Sequence, residues 1–265
     1  MTRITLGQYY PTNSVIHRID PRVKLVAVFA YITVLIFANH FVAYGIALLF
    51  IALLVKASMV PPRLLLRGLR AIMFMLLIAA SINLFLTPGQ NVIFSLGFIR
   101  ITMEGVVLAV QMAFRLMLLI TGSSILTLTT SPISLTDGIE SLLKPLKIIK
   151  VPAHDIAMMM TIALRFIPTL SDEMDKIIKA QKARGGDFET GGLIKRAKSM
   201  VPILVPLFVS AFKRADELAT AMEARCYRGD IGRTKMKEIK MTPIDFVSIG
   251  AMIIFCAIIL STRLL

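Results

Sequence analysis

Five apolar stretches, each longer and less interrupted than the alternating pattern of a soluble core, constrain this chain more than any other feature. Residues 23–38 are almost entirely apolar, and Asn39-His40 separates them from 41–55. The third stretch, 71–86, runs into Thr87-Pro88-Gly89; the fourth, 106–128, is broken only by Gln111, Arg115 and small polar residues; the last is 246–260. A helix needs about 20 residues, within a range of 17–25, to cross the hydrocarbon core of a bilayer. Several stretches fall short on strict counting, so flanking Lys24, Lys56 and Arg70 are expected to snorkel. The pattern predicts an all-α integral membrane protein with about five transmembrane helices, four in residues 1–128 and the last in 242–265. Residues 90–101 read as a short hairpin or loop on the outer side.

The charge balance then has to be placed. The 265 residues carry a formal charge of +14, although 56% of them are hydrophobic. Only two cysteines, Cys226 and Cys256, are present, which excludes a disulfide scaffold, and the composition excludes disorder and collagen-like repeats. Arg3, Arg18 and Arg22 precede the first stretch and Lys24 lies at its start, and Lys56, Arg63, Arg67 and Arg70 lie between the second and third. The Asn39-His40 turn has no Lys or Arg, whereas 129–241 holds 19 of the 30 basic residues. By the positive-inside rule the N-terminus and 129–241 are expected in the cytoplasm and the C-terminus outside. Residues 1–22 are polar and lead into the first stretch without a small-residue cleavage pattern, so no signal peptide is expected. The pI of about 10.1 would suit a nucleic-acid binder, but the basic tract is amphipathic and membrane-tethered, so no nucleic-acid partner is expected.

Residues 129–241 form a helical insertion before the last span. Ser134 with Asp137 resembles a capping box. Leu135, Ile139, Leu142, Leu143, Leu146 and Ile149 then fall on one face, and Val151-Pro152 ends that helix. A second helix is expected from about 153 to 184, kinked at Pro168, and a third from about 193 to 225 with Pro202 and Pro206 early in it. Thr242-Pro243 followed by Asp245 restarts the chain as N-cap, first helical residue and first-turn acid. Each of the two long helices is apolar in its first half and charged in its second, one half suited to a membrane boundary and the other to water. Both end alike, in Ala183-Arg184-Gly185 and Ala224-Arg225-Cys226, and a shift of 41 residues also aligns Ala180 with Ala221, Ile177 with Leu218 and Asp175 with Asp216.

No nucleotide-binding P-loop, metal-ligand spacing or acid–base set is evident, so no cofactor or metal is expected and the chain is not read as an enzyme. His17, His40 and His154 are scattered, and His154 reads as part of a helix start. A cation near one helix C-terminus merely offsets the macrodipole. Two such ends, each with Ala before the Arg and a small residue after it, instead suggest slim tips entering two similar receiving sites, where a guanidinium pairs bidentately with carboxylate.

The tracts Ala163-Leu164-Arg165-Phe166-Ile167-Pro168, Ala183-Arg184-Gly185, Arg214-Ala215-Asp216-Glu217-Leu218 and Ala221-Met222-Glu223-Ala224-Arg225-Cys226-Tyr227 carry a family resemblance. With Asp20-Pro21-Arg22-Val23-Lys24 and Leu128-Thr129-Thr130-Ser131-Pro132, they resemble the transmembrane T component of energy-coupling factor transporters over nearly the whole chain. The resemblance implies a non-catalytic coupling subunit of the cell membrane. Two ABC-type ATPases would dock at Ala183, Arg184, Gly185, Ala224, Arg225 and Cys226. A small membrane-embedded S component, binding a vitamin or metal ion, would contact Met158, Met159, Met160, Leu204 and Phe208. Cys226 stands where that family commonly has Gly, and a small residue would keep the tip slim. The basic 56–70 stretch is expected to be a loop that meets anionic lipid headgroups. Arg115, mid-span at a cost of about 2.5–3.5 kcal/mol on an insertion scale, is expected to face other helices or the S component. The alternative is a permease or channel with its own substrate path, for which Gln111, Arg115 and Asn83 are few.

Overall fold

The computed structural model describes residues 9–88, 91–96, 99–149, 152–186, 188, 192–229 and 241–262. They divide into two compact units, one holding the described residues up to 138 together with 241–262, the other those of 139–229. The first contains α1 (Val15–Arg18), α2 (Pro21–Ile36), α3 (Phe41–Ser58), α4 (Pro62–Leu86), the strands β1 (Val92–Leu96) and β2 (Ile99–Thr102), α5 (Met103–Thr129), the start of α6 (Pro132–Leu143), and α9 (Pro243–Ser261). The second holds the remainder of α6, a 3₁₀ turn at Lys144–Ile149, α7 (Ala153–Ala183) and α8 (Leu193–Ala224).

A helix occupies each of the five apolar stretches, and the chain is an all-α integral membrane protein. The count of spans is narrower than five. By length and composition α3, α5 and α9 can cross a membrane. A fourth span is α4 if its two segments, Pro62–Arg70 and Ile72–Leu86, bent by 56°, act as one. Helix α2 has only 16 residues, about 24 Å at 1.5 Å per residue. It stops because Asn39-His40 opens the turn into α3, which begins at Phe41. The predicted hairpin is present as β1 paired antiparallel with β2, Val92 opposite Thr102 and Ser95 opposite Arg100; its tip, 97–98, lies outside the described residues.

Four local expectations are corrected. Residues 56–70 are not a loop. Helix α3 runs to Ser58, Met59 makes a left-handed turn with φ of 54°, and α4 starts at Pro62. Arg63, Arg67 and Arg70 therefore repeat at helical spacing along the first segment of α4, all exposed. The N-cap of α6 is Ser131 rather than Ser134: Ser134 N donates to Ser131 Oγ at 3.2 Å, and Pro132 takes the first helical position, where its missing amide costs nothing. Helix α6 then ends at Leu143, and the chain turns as a 3₁₀ helix around Pro145, before the expected stop; Val151 is outside the described residues. Lys24, unlike exposed Lys56 and Arg70, is buried and does not snorkel.

The core of the first unit is built where α2, α3, α5 and α9 meet, from Tyr31, Leu35, Tyr44, Leu118, Ile125, Phe255 and Ile259. Ala43 and Ala47, one turn apart on α3, are fully buried. Such small side chains let helices approach closely where lipid supplies no hydrophobic drive to associate. Phe50 stacks on Phe255 at 4.2 Å between ring centres, and Tyr31 on the same ring at 5.8 Å. Arg115 is spent on the fold. Its Nη2 donates to Ala38 O at 2.6 Å and to Tyr44 Oη at 2.9 Å, and its Nε to Tyr44 Oη at 3.2 Å. Gln111 Nε2 reaches Asn39 O at 3.0 Å. The two polar groups in mid-α5 thus bond carbonyls of the turn between α2 and α3. Phe29, Phe74 and Val247, by contrast, are all more than 60% exposed, as lipid-facing side chains should be.

Candidate functional site: two matched helix ends

Helices α7 and α8 are 31 and 32 residues long and continue through Pro168, Pro202 and Pro206. They pack antiparallel. Gln181 Nε2 near the end of α7 donates to Pro202 O early in α8, at 3.3 Å. In the middle, Ser210 Oγ donates to Glu173 Oε1 and Arg214 holds Glu173 Oε2, with Nη2 at 3.1 Å and Nε at 3.3 Å. The Ser210 hydrogen bond, reinforced by the Arg214 guanidinium, keeps the Glu173 carboxyl below its ordinary pKa. Glu173 and Arg214 are 41 residues apart, the separation of Arg184 and Arg225. Two copies of one helix unit that run antiparallel and touch at equivalent residues are related by a local twofold axis through that contact. Arg184 and Arg225 each lie 11 residues beyond it, about 16 Å along the helix, towards opposite ends of the pair.

The two ends close with the same pair of backbone bonds. At α7, Gly185 N donates to Lys182 O at 3.0 Å and Gly186 N to Gln181 O at 2.9 Å. At α8, Cys226 N donates to Glu223 O at 2.9 Å and Tyr227 N to Met222 O at 3.1 Å. Each set is a Schellman motif, in which the residue after the C-cap turns left-handed and two back-directed bonds close the last turn. Arg184 and Arg225 are the C-caps, at φ of −87° and −93°. Gly185 and Cys226 are the left-handed residues, at φ of 86° and 56°. A left-handed φ favours glycine, which has no Cβ to clash, and Cys226 is accommodated there under strain. Cys226→Gly is therefore expected to stabilise the α8 end by about 1 kcal/mol. Cys226→Val, β-branched at a left-handed position, should destabilise it; thermal unfolding of the purified chain in mild detergent checks both signs.

Ala183, Arg184, Gly185, Ala224, Arg225 and Cys226 are all exposed. Among the described residues neither arginine side chain makes a hydrogen bond or ion pair. The helix ends hold themselves with main-chain bonds and leave both guanidinium groups available. Around Arg225 the antiparallel packing opens two adjoining grooves of about 480 and 560 Å3. Ile162, Leu218 and Met222 form an apolar floor common to both, and Arg165, Arg225 and Arg228 border the larger. The ends are alike but not identical, since the positions aligned with Arg165 and Arg228 are Pro206 and Asp187, the latter outside the described residues.

The division of each helix into an apolar and a charged half gives way to a division by face. In the antiparallel pair the apolar start of α7 lies beside the charged end of α8, with Ile162, Phe166 and Leu170 near Arg214 and Glu223. Met200, Leu204, Phe208 and Phe212 recur every fourth residue on α8 and are all exposed. Shifted by 41, this stripe corresponds to Met159, Ala163 and Ile167 on α7, also exposed. Of the residues expected at an S-component contact, Met159, Met160, Leu204 and Phe208 are exposed, whereas Met158 turns into the groove at the Arg225 end. Sequence reading missed the Glu173–Ser210–Arg214 contact, although the 41-residue register already pairs Glu173 with Arg214. Among the described residues no three His, Cys, Asp or Glu side chains gather as a metal site.

A family model described as a cobalt transport protein matches residues 12–237. The chain is 55% identical, over 95% of its length and 94% of the other's, to the energy-coupling factor transporter transmembrane protein of Ruminiclostridium cellulolyticum. It is 54% identical to that of Clostridium kluyveri, covering 97% and 96% of the two chains, and 44% identical to that of Bacillus subtilis, covering 99% of each.

Proposed function

The chain belongs to the family of energy-coupling factor transporter transmembrane proteins, and from that membership we propose that it couples two ATPase subunits to a substrate-binding S component. The two matched helix ends support this reading most directly. Two exposed arginines, presented by the same backbone motif about a local twofold axis, suit a pair of related receptors with an acidic groove each. The extra cations Arg165 and Arg228 at one end suit receptors that are related but not identical. ATP binding and hydrolysis reside in those partners: the ATPases close and reopen, and the two helices move with them as rigid elements. The exposed apolar stripes, Met200 to Phe212 on α8 and Met159 to Ile167 on α7, press on the S component and alter its access to vitamin or metal ion. The protein lies in the cell membrane with its N-terminus and residues 129–241 in the cytoplasm and its C-terminus outside. In α4, Arg63, Arg67 and Arg70 meet anionic lipid headgroups.

A chain that carried substrate by itself would need polar groups converging from several spans. Arg115 and Gln111 are bonded to the α2–α3 turn, and Asn83 Nδ2 donates to Ala79 O of its own helix. With tritiated riboflavin supplied outside proteoliposomes as probe, the chain alone is expected to give no uptake. Addition of the ATPases and a riboflavin-binding S component should make uptake strictly ATP-dependent. Uptake by the chain alone would establish the permease alternative instead.

A further inference from the structure

Among the described residues the second unit follows the first through α6 and returns to it ahead of Thr242. Inside the first unit, the end of α5 and the start of α9 are both bonded to one short tract at the start of α2. On the entry side, Lys24 Nζ donates to Thr129 O at 3.0 Å and to Thr130 Oγ1 at 3.3 Å, where α5 ends and α6 is about to begin; its third bond goes to His17 O at 3.4 Å. On the exit side, Asp20 N donates to Asp245 Oδ1 at 2.7 Å. The other oxygen, Asp245 Oδ2, accepts from Thr242 N at 2.6 Å and from Thr242 Oγ1 at 2.9 Å. Lys24, Asp20 and Asp245 are all buried, and both carboxylates lie close enough to act on the ammonium charge. A buried ammonium with three acceptors and two carboxylates nearby is expensive to assemble and hard to pull apart.

One atom of this junction is left over. Asp20 Oδ2 is buried without a hydrogen-bond partner, and Asp20 borders a polar cavity of about 200 Å3 together with Lys24, Thr130, Ser131 and Asp245. Asp20 and Lys24 are four residues apart at the start of one helix, the spacing that brings side chains together. If the end of α5 is drawn away, the ammonium has a second acceptor on its own helix and is not stranded in a buried site. That is the requirement for an element with two stable arrangements.

Resting on the coupling function proposed above, we propose that the Asp20–Lys24–Asp245 junction is a clasp. It passes displacement of the coupling helices to α2, α5 and α9, and its residues position these helices for coupling without taking part in ATPase docking. The test co-expresses the chain with its two ATPases and a riboflavin-binding S component. It measures three quantities on the purified complex: ATPase co-purification, ATP hydrolysis, and ATP-driven uptake of tritiated riboflavin in liposomes. Lys24→Met is expected to retain the ATPases and their hydrolysis while uptake per ATP falls about tenfold or more, with Lys24→Arg recovering most of it. An unchanged ratio of uptake to ATP overturns the clasp, and so does loss of ATPase retention together with uptake. Where Lys24→Met does not accumulate, Thr130→Val, which deletes one acceptor of the ammonium, decides. A drop of about threefold in uptake per ATP with docking intact supports the clasp, and a parental ratio overturns it. A parental chain that retains no ATPases overturns the coupling function itself, and the clasp with it.

Discussion

Arg184→Glu combined with Arg225→Glu is expected to abolish co-purification of the ATPases while the chain remains inserted in the membrane at parental levels. The expectation follows from how the helix ends are built. Each Schellman motif is closed by main-chain donors of residues 185 and 186 or 226 and 227, and neither guanidinium contributes to it. Both side chains are exposed and, among the described residues, without a side-chain partner. Reversing them therefore costs the fold only the macrodipole term, about 0.3–1 kcal/mol at each exposed end. At a receptor the loss is large, because truncating one member of a hydrogen-bonded charge pair at an interface costs about 2–5 kcal/mol, and charge reversal adds repulsion. Two ends that bind at once act as a bivalent ligand, so each single variant should retain part of the complex and the double variant none. Quantitative mass spectrometry of complexes purified in mild detergent reads this directly. Full ATPase recovery with the double variant would remove the arginine tips from the docking surface.

The second large effect concerns one glycine in a helix interface. Gly122→Ala is expected to destabilise the first unit by about 1–3 kcal/mol. A Cβ at position 122 would sit 2.4 Å from Tyr31 Cε1 and 3.0 Å from Tyr31 Cδ1. The ring cannot swing aside freely, because Tyr31 Oη donates to Leu118 O at 3.0 Å and the ring stacks on Phe255. Gly45→Ala, by contrast, would place its Cβ where nothing lies within 4 Å. There the substitution only improves helix propensity, by about 0.5–1 kcal/mol, and should be neutral or stabilising. Melting temperatures of the two variants in the same detergent should move in opposite directions. Equal shifts would mean that α2 and α5 are not packed against each other as described.

The sequence was most readable where a periodic pattern meets a hard local rule. Pro243 with Thr242 and Asp245 marked the start of α9, and the structure adds only that Asp245 also reaches back to Asp20. The long helices α7 and α8 were placed within a residue or so, since their apolar spacing and terminal small residues are local signals. Reading failed where a choice depends on a distant neighbour. Ser131 and Ser134 are both adequate caps, and the one followed by proline prevailed. Lys24 looked like any other cation at a membrane edge, and only α5, 105 residues further on, makes it a buried donor. Met59 and Cys226 adopt left-handed backbone despite their side chains, which nothing in residue type announces.

The candidate site divides in the same way. Sequence alone determined the membrane class, the five apolar helices and the paired Ala-Arg tips, because hydropathy, helical period and a 41-residue repeat are properties of residues near one another along the chain. Only the tertiary structure decided that the two copies run antiparallel, that their arginines therefore point to opposite ends of the pair, and that Lys24 bonds the end of α5 while Asp245 bonds the start of α2. A repeat read along a sequence is a translation. Whether it becomes parallel tips or a twofold pair depends on contacts such as Glu173 with Ser210 and Arg214, whose partners the linear order leaves 37 and 41 residues apart.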